Sequence, residues 1–289
     1  MNRTYSTRFY KKLIITSILL IIITFDVLFI LFFYTPNLEI IANFYIVYYY
    51  VNILTFFVIL RVIVSLYASI ILWRLWLEQK RFSLFSLPFL LSLFFIIFLA
   101  GKIMDIMVYL AVGMHLSYGY PLDFLLFTLK VRYLIGLINV LPIFLVGIYL
   151  YLFKRSLKKE EFFIAPKTKR NTVLFSLLYS LSLAIFIILI SDWMLFSFVI
   201  FIASVSSFSF AIWLFIVIHR AKRLPEINSL VIGLGFICYL IVNAVSPLVM
   251  NLLFPISLEG ERLSALIFEV GTLFSIIIII LGFKIKASY

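Results

Sequence analysis

The sequence predicts an all-α, polytopic integral membrane helix bundle of about eight transmembrane helices, with both termini cytoplasmic. Three observations carry that fold class. Hydrophobic residues make up 65% of the 289 residues and charged residues only 12%, whereas a soluble chain of this size carries about twice that charged fraction. The apolar residues fall in long runs, and a membrane span needs roughly 20 of them. Lys and Arg collect on alternate connections between those runs, which is the pattern of positive residues retained inside.

Taken in chain order, eight segments are long and apolar enough: about 13–34, 44–76, 84–112, 124–153, 172–190, 194–219, 227–253 and 264–285. The basic connections are Arg3 to Lys12, Arg74 to Arg81, Lys154 to Arg170, Arg220 to Arg223, and Lys284 with Lys286. They hold 19 of the 24 basic residues, all but Arg61, Lys102, Lys130, Arg132 and Arg262. Seven spans would leave Lys284 and Lys286 on the wrong side, so eight is the count that satisfies every connection.

The first run follows a basic stretch but has no small-residue cleavage site after it, so it reads as a retained span and not a signal peptide. The second is longer than a bilayer needs, and it opens on Tyr45, Tyr48, Tyr49 and Tyr50, residues suited to an interfacial aromatic belt. Spans five and six form a hairpin around Asp192. They carry small residues four apart, Ser176, Ser180 and Ala184 on one and Ala203, Ser207 and Ala211 on the other, which lets helices approach closely. Span four contains Gly136, Asn139, Pro142 and Gly147, where a break would suit a transporter. In span seven Gly233 and Gly235 read as a packing surface or a flexible turn. The Ile run 276–280 reads as lipid-facing. The chain forms one transmembrane domain, 1–289, with no appended soluble module.

Several function classes fall away. The net charge of +12 would point to nucleic acid in a soluble protein, but here it follows topology and anionic lipid headgroups. The single cysteine, Cys238, excludes an intramolecular disulfide and has no histidine in its layer to generate a thiolate. His115 and His219 are too far apart to form a metal or haem pair. The last span has no lysine before Lys284, against a retinal pigment, and there is no HExxH or GxSxG motif. The sequence therefore predicts a non-enzymatic protein without a cofactor.

What remains is a set of ionisable residues inside the spans, which are costly there and mark function or register. They are Asp26, Arg61, Lys102, Asp105, Lys130, Arg132 and Glu269. Counted at 1.5 Å per residue, Arg61 falls near the midplane and the others roughly 4 to 12 Å outward of it. Lys102, Asp105 and Tyr109 share one face of span three. Arg61 cannot shed its proton and needs a carboxylate, for which Asp105 is the first choice. Such a pair predicts that Arg61→Leu strands a carboxylate and that adding Asp105→Asn restores the fold. Asn139, Asn243 and Ser246 join the same layer, while Lys130 and Arg132 have the option of snorkelling to headgroups.

The expectation is a receptor- or sensor-like bundle in the cell membrane or an organelle inner membrane. It would bind a small polar or anionic ligand through Arg61, Lys102, Asp105, Tyr109, Asp26 and Glu269. Its basic face would meet anionic lipid headgroups or a cytoplasmic signalling partner, and nucleic acid is not a partner. Two alternatives use the same residues: a small-solute transporter for an anionic or zwitterionic substrate, and a structural subunit held by other subunits of a membrane complex.

Overall fold

The computed structural model describes residues 2–39, 42, 49–79, 82–119, 121–158, 166–191, 193–220, 222, 227–245 and 258–286. Among them every regular element is helical: α1 (Asn2–Phe29), α2 (Tyr49–Glu78), α3 (Leu87–Tyr118), α4 (Leu122–Lys158), α5 (Pro166–Leu189), α6 (Trp193–Arg220), α7 (Ser229–Leu240) and α8 (Leu258–Lys284). Among the described residues seven helices are long and apolar enough to cross a membrane, and Ser229–Asn243 is a shorter apolar helix. The chain is thus a multi-pass membrane protein. Tyr45, Tyr48, Asp192 and Ser246 lie outside the described residues.

The helix boundaries follow local chemistry. Pro88 sits in the first turn of α3, where its missing N–H costs nothing, and Gly119 ends the helix at φ 66°, in the left-handed region that favours glycine. The side chain of Asn228 caps α7 by accepting from the Val231 N–H at 3.3 Å. Two helices loosen at their far ends into π turns, Ile30–Tyr34 after α1 and Ile241–Val245 after α7. The second frees backbone carbonyls, and Asn243 Nδ2 donates to the Tyr239 carbonyl at 2.9 Å and to Thr272 Oγ1 at 3.2 Å. The α4 helix runs unbroken through Gly136, Asn139, Pro142 and Gly147.

The chain divides into two compact units, Met1–Ile135 and Gly136–Tyr289. In the first, α2 and α3 form an antiparallel hairpin that is aromatic where the two helices connect, with the Trp76 and Phe89 ring centroids 4.4 Å apart. Leu72, Trp76, Leu91, Phe94 and Phe95 are buried there. The first helix docks on α2 and α3 through one narrow stripe. Its shielded positions include Lys11, Ile14, Ile18, Ile22, Asp26 and Phe29, at the helical spacing of three and four, with Ile15 and Leu19 beside them, while residues such as Leu20, Ile21 and Leu28 face outward.

Lys11 fixes that docking. Its ammonium donates to the carbonyls of Trp76 and Gln79, each at 2.6 Å, and lies 5.3 Å from the Trp76 ring centroid. It supplies donors to carbonyls at the C-terminal end of α2, where the Trp76 carbonyl also accepts from the Gln79 N–H at 3.2 Å, and its charge complements the negative end of the helix. Lys11→Met is expected to lower the unfolding temperature of the purified chain by a few degrees, with Lys12→Met, on the exposed side of α1, leaving it unchanged.

In the second unit α6, α7 and α8 pack together. Phe208 and Phe215 of α6 lie against Phe236 of α7 with centroids 5.8 Å apart in each pair. The α7–α8 seam is closer, because two glycines face backbone. A Cβ on Gly235 would stand 2.9 Å from the Ile279 nitrogen, and one on Gly282 would stand 2.8 Å from the Ile232 nitrogen. Gly233, by contrast, is in ordinary contact with Phe215 at 3.5 Å. The Ile run is not wholly lipid-facing: Ile276 and Ile279 are fully buried and Ile277 is exposed, since Gly235 opens the seam that Ile279 fills. Of the small-residue ladders, Ala203, Ser207 and Ala211 are buried on α6 and Ser176 on α5. Ser180 and Ala184 are only half-buried. A Tyr179–Ser206 hydrogen bond of 2.7 Å joins those two helices.

Candidate functional site

Among the described residues of the first unit, one charged cluster is built around Asp105. This aspartate lies in the middle of α3 and is 4% exposed. Arg61 of α2 donates through Nη2 to Asp105 Oδ2 at 3.1 Å. Lys102, one turn earlier on α3, pairs with the same oxygen. Arg132 of α4 donates through Nε to Asp105 Oδ1 at 2.7 Å. Three cations from three helices thus share one carboxylate.

The aliphatic and aromatic surroundings explain how such a group tolerates an apolar interior. The Phe98 ring, one helical turn from Lys102, has the Lys102 ammonium 4.2 Å from its centroid and the Arg61 guanidinium carbon at 4.8 Å. Its electron-rich face lowers the cost of holding two cations together. Arg132 lies 5.3 Å from the Tyr133 centroid in the same way. Arg61 is fully buried and Lys102 is 3% exposed, but the side chain of Arg132 retains 23% exposure. The cluster is thus fully buried at Arg61 and only partly buried at Arg132.

The Arg61–Asp105 contact and the shared face of Lys102 and Asp105 lie as the helical spacing predicts. Tyr109, a turn further along α3, is half-buried, as is Lys130. Arg132 is the arm that sequence reasoning set aside as a snorkelling residue. Its signal is weak in sequence because 27 residues and a turn separate it from Asp105. The sharing also changes the expected behaviour of the pair. With Lys102 and Arg132 still on the carboxylate, Arg61→Leu does not strand Asp105, and Asp105→Asn added to it strands the two remaining cations. The double variant is expected to be the worse folded of the two.

Three further residues of the predicted layer lie on other elements. Asp26 is on the docking stripe of α1, with Oδ1 shielded from solvent and without a hydrogen-bond donor among the described residues. Glu269 is fully buried on α8 in the second unit, one turn before the buried Thr272. Asn139 is buried on α4, also in the second unit. Lys11, which the sequence reads as one more inside-positive residue, is a buried helix cap. The clue available in sequence is its place in the apolar stripe of α1.

Profiles of known protein families, curated proteins and solved structures contain no match to this chain.

Proposed function

We propose that the chain is a non-enzymatic, receptor- or sensor-like membrane protein of eight spans, with its termini on the cytoplasmic side. Its ligand, small and polar or anionic, is received in the outer half of the membrane at Arg61, Lys102, Asp105 and Arg132. The observation that carries this reading is the sharing of Asp105 by three cations, one of which, Arg132, is only partly buried. A carboxylate or phosphate arriving at Arg132 competes with Asp105 for the guanidinium. The exchange loosens α4 from α3 and so couples occupancy to helix position. The basic connections would pass that change to a cytoplasmic partner or to anionic headgroups.

A second reading, a structural subunit of a membrane complex, is favoured by the depth of Arg61, Lys102 and Asp105. A transporter is less well supported, since α4 is continuous where a substrate-binding break would fall.

Cysteine accessibility tests the proposal. In a Cys238→Ala background, single cysteines replace Tyr109 and Ser65, and a membrane-impermeant maleimide is added outside intact cells. The expected result is labelling at the half-buried Tyr109 and none at the fully buried Ser65. If Tyr109 is unreactive in folded protein, the ligand site is refuted and the subunit reading stands. Labelling at Ser65 would instead require a water path to the midplane, and solute flux into vesicles would become the decisive assay.

A further inference from the structure

We infer that Asp26 is the cation-accepting half of the same ligand site, so that the ligand is a small zwitterion carrying an amine and a carboxylate or phosphate. This inference rests on the ligand-binding reading of the Asp105 cluster.

Height within the first unit is the first observation. Lys11 of α1 and Phe89 of α3 both touch Trp76 of α2, which gives the three helices a common reference level. From there Asp26 is fifteen residues along α1, Arg61 fifteen residues back along α2, and Asp105 sixteen residues along α3. At 1.5 Å per residue each count is about 22 to 24 Å. The contact of Arg61 with Asp105 confirms the count for two of the helices, and α1 packs against both. Asp26 therefore occupies the rung of the charged cluster.

The second observation is what Asp26 lacks. It lies on the inward stripe of α1, not on the outward face, and its Oδ1 is closed off from solvent without a donor among the described residues. A carboxylate oxygen in an apolar seam is an acceptor that must be matched. Within the first unit the other described carboxylate at this level, Asp105, already holds three cations. One rung thus presents a cation-rich pole at Arg132 and an anionic pole at Asp26. A zwitterion matches both poles, whereas a simple anion leaves Asp26 as it is.

The test measures the unfolding temperature of the full-length chain in lipid nanodiscs. The probes are glycine, β-alanine, 4-aminobutyrate and 6-aminohexanoate, each compared with the carboxylate of the same chain length. The series spans the amine-to-carboxylate separations that the two poles could require. At least one amino acid is expected to raise the unfolding temperature by about 2 °C or more beyond its matched carboxylate. Asp26→Asn is expected to abolish that excess while keeping the carboxylate shift. Asp26→Glu keeps the excess and moves it toward a shorter member of the series. Equal shifts for amino acids and carboxylates overturn the role of Asp26 and leave the anion site standing. An excess that survives Asp26→Asn also overturns it. No shift with any probe overturns both the zwitterion and the anion site.

Discussion

Asp105→Asn is expected to be the most damaging single substitution in the first unit. It removes the carboxylate from Arg61, Lys102 and Arg132 together, in a position that is 4% exposed. Breaking one buried ion pair by deleting a partner costs about 3–5 kcal/mol, because the remaining charge is left in a poor solvent. Here three cations lose the same partner, and the cost falls on the α2–α3 hairpin that organises the unit. The expected outcome is loss of the monodisperse peak in size-exclusion chromatography of the detergent-solubilised chain, with little protein recovered. Adding Lys102→Met to Asp105→Asn removes one of the stranded charges and should recover part of the yield. A normally folded Asp105→Asn protein would show that other groups can hold the three cations, and that Asp105 is not their organiser.

The contrast between Asp105 and its partners shows which parts of the site were legible in sequence. Helical phase brings Lys102 beneath Asp105, and burial forces Arg61 to seek a carboxylate, so both contacts follow from local rules. Arg132 arrives from the next helix, and its approach depends on how α4 turns back after Gly119, which spacing along the chain does not encode. Lys11 is hidden for a different reason. Amid Arg8 and Lys12 it satisfies the rule for basic inside residues, and a topological signal masks a packing role. The fold was read from hydropathy and charge, and seven long apolar helices bear out a multi-pass bundle. The seam between α7 and α8 was only half visible, because glycine spacing does not distinguish Gly233, in ordinary contact, from Gly235, which faces backbone.

That distinction yields the largest effect expected in the second unit. Gly235 of α7 and Gly282 of α8 are placed reciprocally across an antiparallel seam. A Cβ on Gly235 meets the Ile279 nitrogen at 2.9 Å and the Ser275 carbonyl at 3.2 Å, and one on Gly282 meets the Ile232 nitrogen at 2.8 Å and the Asn228 carbonyl at 3.1 Å. These neighbours are main chain within helices, so they cannot rotate away as a side chain does, and the helices themselves must separate. Gly282 also gives its carbonyl to the Asn228 N–H at 2.8 Å, so separation breaks a bond at the start of α7 as well. Overpacking of this kind costs about 1–3 kcal/mol for a single added group, and Gly235→Val or Gly282→Val adds three carbons. Either substitution is expected to expose the seam to protease and to lower the unfolding temperature by ten degrees or so, and the two together should leave no folded second unit. Gly101→Ala is the matched control, because its Cβ would only touch the Ile135 side chain at 3.6 Å. It sits inside α3, where alanine is the better helix former by about 1 kcal/mol, so it should leave stability equal or slightly improved. If Gly235→Val and Gly101→Ala behave alike, the close approach of α7 and α8 is not what holds that unit together.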